Sequence, residues 1–234
     1  MSESVLATWE VTTKTSVTNV IVPDGCQDLI IDSSEGEKPR FFVSPLFDTT
    51  QTVTLRSGTM MAGFRIRPGT RVDEEKLLAT ISSACFDPYS HDEIGEYIDT
   101  FSTRDNGIEE VLYSLASGVK TVTRAAKEIG VTTRTLQRLV LRETGRSPVY
   151  WMMLARVRKA ARALNSTLHL VDIAELYGYA DQAHMTREFK RWFNASPAVL
   201  RSRPAISNQL YEEAYDGVDT GVHSSTKTPF LSET

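Results

Sequence analysis

The stretch from residue 169 to residue 201, HLVDIAELYGYADQAHMTREFKRWFNASPAVLR, constrains the fold more than any other part of this sequence. Apolar residues at helical spacing predict a short helix that ends at Gly178, because glycine adopts left-handed backbone angles without a Cβ clash. Asp181 is the predicted N-cap of a second helix. The side chains predicted to face a core from that helix are Met185, Phe189, Trp192 and Phe193. Its opposite face carries Ala183, Arg187, Lys190 and Arg191. A short helix, a tight turn and a helix with a basic outer face fit a DNA major groove.

Charge is distributed unevenly along the 234 residues, although the net charge is only −4. Residues 1–118 hold 9 Lys/Arg against 19 Asp/Glu, residues 119–203 hold 16 against 6, and residues 204–234 hold 1 against 5. A basic block between two acidic flanks indicates a polyanionic partner for that block alone. We therefore predict an N-terminal domain over 1–118, a nucleic-acid-binding domain over 119–203, and a polar acidic tail over 204–234. The tail is expected to be largely disordered, with one or two helical turns near SNQLYEEAY.

The first half of the basic block predicts three helices. The pattern VTRAAKEIG gives a helix that ends at Gly130, and Thr132 or Thr133 is the predicted cap of the next. The side chains of that next helix predicted to point outward are Arg134, Gln137, Arg138 and Leu141. Arginine and glutamine are the side chains that bond guanine and adenine edges bidentately. A long helix over 149–164 follows Ser147-Pro148, and its surface residues are predicted to be Arg156, Arg158, Lys159 and Arg162.

The two halves of the basic block repeat each other. Ala126 to Gly130 matches Ala174 to Gly178, 48 residues further on, and 145–148 matches 194–197, 49 residues further on. We therefore predict two helix-turn-helix motifs joined by one long helix. Two such recognition helices can occupy successive major-groove segments roughly 34 Å apart on one face of a duplex.

The N-terminal half predicts an α+β arrangement. Residues 5–68 contain short β-type runs between turn sequences, namely VTNVIV, DLIID, RFFVS, TVTL and GFRIR. In the last run, Phe64 and Ile66 alternate with Arg65 and Arg67, which predicts a strand with one solvated face. Helices are predicted over 73–83, 91–101 and 107–117. The fold class is thus a small β-rich N-terminal domain with helices, followed by an all-α domain.

Several N-terminal residues bear on an enzymatic or ligand-binding hypothesis. Cys26, Asp28 and His91 supply a nucleophile, an acid and a base, but nothing around Cys26 has the pattern of an activated nucleophile. Arg65 and Arg67 are candidates for clamping an anionic effector, although outward arginines on an edge strand are the commoner explanation. Cys26 and Cys85 are expected to be free thiols. Since no metal-ligand spacing and no Gly-rich phosphate loop is present, we expect no metal, no cofactor and no enzymatic activity.

The basic block resembles the DNA-binding domain of the AraC/XylS family of bacterial transcription regulators, over about 119–203. The residues that carry the resemblance in the second motif are Ile173, Ala174, Gly178, Tyr179, Asp181, Ala183, His184, Met185, Arg187, Phe189, Lys190, Phe193, Asn194, Ser196 and Pro197. Those in the first motif are Ala126, Gly130, Val131, Leu136, Gln137, Arg138, Gly145, Ser147 and Pro148. The resemblance implies a seven-helix domain, base contacts from both recognition helices, and control of transcription initiation.

Residue roles follow from the resemblance position by position. It assigns base contacts to Arg134, Gln137, Arg138, Gln182, Ala183, Thr186 and Arg187. Helical periodicity agrees, except that it places Gln182 and Thr186 nearer the core edge. Contacts to phosphates are expected from Thr133, Asp181, Arg158, Lys159, Lys190 and Arg191.

The N-terminal resemblance is weaker. Family members often carry a larger cupin-like sensor barrel, whereas PDGCQDLI and GFRIRPG resemble the compact N-terminal domains of some relatives. A zinc-bound methyl-acceptor domain is excluded, because its four cysteines are absent.

The sequence thus predicts a cytoplasmic, nucleoid-associated regulator that binds double-stranded DNA, with activation favoured over repression. RNA polymerase is an expected partner, a small-molecule effector and a homodimer stay open, and no membrane segment is expected. The alternatives are a non-specific architectural DNA binder, or an enzyme acting through the acidic N-terminal half.

Overall fold

The computed structural model describes residues 2–34, 38–83, 90–118 and 121–217, in which a β-rich N-terminal part precedes a helical C-terminal part. The strands are β1 (Val5–Thr12), β2 (Val17–Ile21), β3 (Gln27–Asp32), β4 (Arg40–Val43), β5 (Gln51–Leu55), β6 (Met60–Ile66), β7 (Arg71–Val72) and β8 (Ser102–Thr103). The helices are α1 (Glu74–Ser83), α2 (His91–Thr100), α3 (Asn106–Ala116), α4 (Val122–Ile129), α5 (Thr133–Thr144), α6 (Pro148–Ala163), α7 (Leu170–Leu176), α8 (Gln182–Phe193), α9 (Pro197–Arg201) and α10 (Pro204–Gln209).

The N-terminal strands form an antiparallel sheet in the order β1-β6-β3-β4, beside a β2-β5 ribbon and a short β7-β8 pair. Each of the five β-type runs predicted from the sequence overlaps one of these strands, and the predicted helices over 73–83, 91–101 and 107–117 are confirmed as α1, α2 and α3. Helices α1 and α2 cover one face of the sheet. The buried side chains of this layer include Leu29, Ile31, Phe64, Leu77, Ile81, Ile94 and Ile98.

Strand β6 is buried on both faces, so the predicted solvated face is wrong. Arg65 points away from the Phe64 side of the sheet, yet only 8% of its surface is exposed. The reason is that the segment 204–217 and the Asp24 side chain lie over this face: the main chain at Glu213 accepts a 2.9 Å bond from Arg65 Nη1, and Asp24 Oδ2 lies 3.0 Å from Arg65 Nη2. Alternation along a strand shows which residues share a face, but it does not show what covers the face.

The C-terminal helices pack around α6. Its buried residues Trp151, Leu154 and Val157 share one core with Phe189 and Phe193 of α8. In the described part of 119–203 the helices are α4 to α9, and α3, which lies before that range, contributes Ile108, Val111, Leu112 and Leu115 to the same core. The helical core therefore begins upstream of the basic block.

The prediction that residues 204–234 are largely disordered does not hold for 204–217. This segment forms α10 and then packs between the two halves of the molecule, with Leu210 and Tyr215 buried. Tyr215 N donates to Asp24 O at 3.0 Å, and Gln209 Oε1 accepts from Val22 N at 3.2 Å. Composition suggested disorder because the segment is acidic, but its acids meet buried arginines. Residues 218–234 lie outside the described residues, as does Cys85.

Within the described part of the chain, no helix has both the length and the apolar character needed to cross a membrane.

Candidate nucleic-acid interface

The helix pair α4–α5 is set by local capping bonds. Thr121 Oγ1 accepts from Arg124 N at 3.1 Å at the start of α4, and Gly130 ends the helix at φ +81°. Only 130–132 separate the two helices. Thr132, rather than Thr133, is the N-cap of α5, since its Oγ1 accepts from Thr135 N at 3.1 Å. Thr133 is thus the first residue of the second helix of this pair.

The helix pair α7–α8 repeats this arrangement. Gly178 follows α7 at φ +70°, and Tyr179 N returns to Ala174 O at 2.9 Å, which satisfies a carbonyl at the helix end. Asp181 is the N-cap of α8, as predicted, because its Oδ1 accepts from His184 N at 2.6 Å. The second helix of each pair therefore begins at a side-chain cap directly after a tight turn.

Burial fixes which face of each second helix is free. Leu136 and Val140 of α5 are fully buried, and so are Met185, Phe189 and Trp192 of α8. Since these side chains occupy the core, the opposite faces of α5 and α8 must meet solvent or a partner.

The predicted base-contacting residues lie on these free faces. Arg134, Gln137 and Arg138 of α5 are exposed, and Thr133 is half-buried at the helix start. The exposed predicted residues of α8 are Gln182, Ala183, Arg187, Lys190 and Arg191. Periodicity placed Gln182 nearer the core edge, but it is exposed.

Thr186 of α8 differs from these exposed residues. It is half-buried, and its Oγ1 donates to Gln182 O at 2.8 Å. Its hydroxyl proton is thus used within the helix.

Acidic partners sort the arginines of the basic block into two sets. Away from the two free faces, Arg124 pairs with Glu128 at 2.9 Å and Arg156 with Glu188 at 3.4 Å. Arg142 and Arg146 also have carboxylate partners. Among the described residues, no carboxylate forms an ion pair with Arg134, Arg138, Arg187, Lys190 or Arg191. Five basic residues without an acidic partner are therefore concentrated on the outer faces of α5 and α8, while Lys127, Arg201 and Arg203 are exposed elsewhere in the block.

The basic residues of α6 hold the fold together, so the predicted phosphate contacts of Arg158 and Lys159 are wrong. Arg158 is completely buried; its Nε donates to Asp216 at 2.9 Å and its Nη1 to Pro23 O at 3.0 Å. Lys159 Nζ donates to Ala116 O, and burial lowers the pKa of its ammonium group. Helical periodicity placed both on the surface, because it contains no information about the segments that contact them, namely 204–217 at Arg158 and the end of α3 at the half-buried Lys159.

Arg156 stabilises the fold, whereas the sequence predicted only that it lies on the surface of the long helix. Its guanidinium lies 4.7 Å from the centre of the Tyr179 ring and pairs with Glu188, so it ties α6 to the second helix pair. The sequence carries no local signal for this contact, since Glu188 lies 32 residues away.

The two arginines proposed as an effector clamp are occupied by the protein itself. Arg65 Nη2 lies 3.0 Å from Asp24 Oδ2, and Arg65 Nε lies 3.2 Å from Asp28 Oδ1. Arg67 Nε donates to Glu3 O at 2.9 Å. Because two carboxylates already neutralise Arg65, this buried site does not fit an anionic ligand held by that residue.

The residues weighed for catalysis have structural surroundings. Cys26 is a buried free thiol, and burial together with the Asp24 carboxylate raises the pKa of Cys26 well above its usual value. A thiol held protonated is a poor nucleophile. His91 Nε2 lies 3.1 Å from Glu10 Oε1 at the protein surface.

An open cleft of about 510 Å³ separates the N-terminal domain from the end of α5. Its lining consists of Arg71, Thr103, Arg104, Asp105, Arg142 and Glu143. Glu143 accepts from Arg71 at 3.1 Å and from Arg142 at 2.5 Å, so the charge of the cleft is largely compensated from within.

Comparison with known proteins finds a helix-turn-helix domain and relatives that are transcription regulators. Residues 125–203 match the family model of a helix-turn-helix domain. The chain is similar to the HTH-type transcriptional regulator RipA of Corynebacterium glutamicum, with 34% identity over 132 residues, 52% of this chain and 40% of the relative. It is also similar to the HTH-type transcriptional activator RhaS of Escherichia coli, with 34% identity over 77 residues, 32% of this chain and 28% of the relative.

Both curated relatives are thus matched over less than half of their length. Among solved structures, ToxT of Vibrio cholerae covers 86% of this chain and 95% of its own, at 12% identity and a TM-score of 0.40. A superposition this loose supports no conclusion about the present chain.

Proposed function

Residues 125–203 belong to the AraC-type helix-turn-helix family, and we propose that the chain is a sequence-specific transcription regulator that activates its target genes. In this proposal α4–α5 and α7–α8 are two helix-turn-helix motifs joined by α6, and α3 and α9 complete a seven-helix domain with them. Helices α5 and α8 are the recognition helices.

One observation carries the proposal. The second helix of each pair presents several exposed arginines or lysines without an acidic partner in the described structure, on the face opposite the core. Most described basic residues elsewhere in the block are paired or buried, and the exposed exceptions Lys127, Arg201 and Arg203 lie on α4 and at the end of α9. An exposed charge without an acidic partner costs the fold little, because surface ion pairs contribute only about 0–1 kcal/mol, and it is available to bind phosphates.

The side chains on these two faces suit both parts of DNA recognition. Arg134, Gln137, Arg138 and Arg187 have the donor patterns that recognise guanine or adenine edges in the major groove, each at about 1–3 kcal/mol of discrimination. Gln182, Ala183 and Thr186 are proposed base contacts at the start of α8. Thr133, Lys190 and Arg191 are proposed phosphate contacts, which fix the register but carry no sequence information.

The N-terminal domain is proposed to control occupancy of the DNA. It contacts the helical domain through both its own loops and the segment 204–217, so a change in one domain reaches the other. A small-molecule effector or a homodimer can act in this way only if it binds two states of the protein with different affinity. We propose activation, and with it contact to RNA polymerase, because the similar protein RhaS is a transcriptional activator.

The experiment is selection of bound duplexes from a random pool by the purified full chain, followed by footprinting on the selected sequence. We expect one enriched motif with two conserved segments about one helical turn apart, both protected on the same face. Salt is fixed throughout, because affinity for DNA depends steeply on salt.

Two results of this selection would contradict the proposed function. A pool that stays random while binding persists would identify a non-specific architectural DNA binder instead. Absence of binding at low salt would reject the DNA-binding proposal altogether.

A further inference from the structure

Residues 46–50 lie between β4 and β5 in the N-terminal domain. They contact the C-terminal end of α8 and the segment that follows α5, from Arg146 to the first turn of α6. We name residues 46–50 the strap. Both of its ends are anchored in β-strands, so its position is set by the N-terminal domain.

One end of the strap caps α8. Thr50 N and Thr50 Oγ1 both donate to Trp192 O, at 2.8 and 3.1 Å. Asn194 Nδ2 donates to Thr50 O at 3.0 Å, and Thr49 Oγ1 donates to Asn194 Oδ1 at 3.2 Å. The carbonyl of Trp192 belongs to the last turn of the helix, where no intrahelical N–H is available. The strap supplies the missing donors.

The other end of the strap holds the turn after α5. Arg146 Nη2 lies 3.0 Å from Asp48 Oδ1 and donates to Leu46 O at 3.3 Å. Tyr150 Oη donates to Phe47 O at 3.4 Å. Arg146 follows the left-handed Gly145 that ends α5, and Tyr150 lies in the first turn of α6, so the strap is attached at the turn that joins α5 to α6.

We propose that the strap is a positioning element that fixes the separation and orientation of α5 and α8, and thereby the spacing of the two half-sites that the protein accepts on DNA. The inference rests on the proposed function. Helix α6 packs against both α5 and α8 and is one connection between the two motifs. A single helical connector leaves one motif free to pivot about it, whereas a second attachment at the helix ends removes that freedom.

The dependence of affinity on the spacing between the two half-sites measures how rigidly α5 and α8 are held. Adding one base pair between two half-sites moves one of them by about 3.4 Å and turns it by about 35°. A rigidly spaced pair of helices then loses contacts at one half-site. A pair that can pivot follows the displaced half-site and keeps them.

The chain offers a variant that weakens the strap without straining the backbone, since it removes four side-chain interactions and leaves the bonds made by the carbonyls of residues 46 and 47 and by the N–H of residue 50. Asn194 has φ +52°, which glycine adopts freely, so Asn194→Gly removes its two side-chain bonds and keeps the turn. Adding Thr50→Val and Asp48→Ala removes the Thr50 hydroxyl bond and the ion pair with Arg146. The matched control is Thr18→Val with Ser57→Ala, which removes hydroxyl bonds within the N-terminal domain, to Thr54 and to the Lys14 carbonyl.

The test uses the duplex selected by the unaltered full chain, and derivatives with one base pair added or removed between the half-sites. We expect the unaltered chain and the control to lose affinity about tenfold on either derivative, the loss of roughly one bidentate base contact. The triple variant should bind the selected duplex within about threefold of the unaltered chain, and should bind all three duplexes within about threefold of one another.

Spacing discrimination that is unchanged in the triple variant would overturn the inference. Thermal unfolding of each variant accompanies the binding series; if the triple variant does not fold, Asn194→Gly alone carries the test with the same two outcomes.

A readout without DNA separates this inference from the proposed function. Spin labels at positions 138 and 187 should give one narrow distance distribution in the unaltered chain and a broader one in the triple variant. Equal widths would reject the strap as a positioning element, whatever the protein binds.

Discussion

Glu212 shows what partial burial does to a single carboxyl group in this protein. Burial, opposed by the positive charge of Arg65, raises the pKa of Glu212 to about 7. A carboxyl group whose pKa is higher in the folded chain is protonated more readily there than in the unfolded chain. Its ionisation therefore destabilises the fold, with no penalty below about pH 4.5 and the full penalty above about pH 7.

We predict that Glu212→Gln raises the melting temperature by about 2–4 °C at pH 8, and that the gain disappears as the pH falls towards 4.5. Thermal unfolding at several pH values measures this directly. The control is Glu213→Gln, which removes the same charge from an exposed neighbour and should give no pH-dependent gain. A variant that is less stable than the parent at pH 8 would contradict the assigned environment of Glu212.

At single positions, the sequence predicted local geometry better than charge pairing. The caps at Asp181 and Thr132 and the turn at Gly178 follow from contacts within five residues, so their residue types were sufficient. Arg158 was misplaced because Asp216 lies 58 residues away and no local pattern links the two. From the sequence alone, an arginine that pairs with a distant acid in the fold cannot be distinguished from an arginine that is free to bind a phosphate.

The segment 204–217 is an element whose role depends on one buried ion pair. The side chains of Arg158 and Asp216 are both fully buried, and Asp216 also accepts from Arg162. Removing one partner of a buried pair leaves an uncompensated charge in the core, which costs more than the pair itself contributes.

We predict that Asp216→Ala lowers the free energy of unfolding by about 3–5 kcal/mol, or the melting temperature by about 10 °C. Chemical and thermal unfolding of the full chain measure the loss. Glu213→Ala, an exposed acid in the same segment, should change stability by less than about 0.5 kcal/mol. Equal free energies of unfolding for Asp216→Ala and Glu213→Ala would contradict the burial of Asp216 against α6.

The outer face of α8 makes a different kind of prediction, because Lys190 is exposed and is proposed to contact phosphate. We predict that Lys190→Ala weakens binding by the same factor on every duplex, and that the slope of log affinity against log salt becomes shallower by about one. Titrations at four salt concentrations give the slope. Lys76→Ala, which removes an exposed charge from the N-terminal domain, should leave the slope unchanged; a shared change in both variants would indicate a general charge effect.

Across the whole molecule, the pattern of elements was largely predictable and their assembly was not. Hydrophobic spacing gave the helices and strands because each element must bury one face. The strap, the two-sided burial of β6 and the docking of 204–217 all depend on contacts between residues far apart in the chain. Those contacts also join the β-rich part to the helical part, so the relative placement of the elements depends on positions that no local pattern identifies.

The central claim is that α5 and α8 each recognise bases in one half of a single DNA site. Arg138→Ala and Arg187→Ala test it most directly, with Arg124→Ala as a control that removes an arginine from α4. Affinity for the selected duplex and for a random duplex is measured at one fixed salt concentration, together with the footprint.

We predict that each of the two variants loses about 10- to 100-fold affinity for the selected duplex, and less than about threefold for the random one. Each should weaken protection in a different half of the site, and Arg124→Ala should behave as the unaltered chain. Equal losses on the selected and random duplexes would contradict base recognition by these two helices.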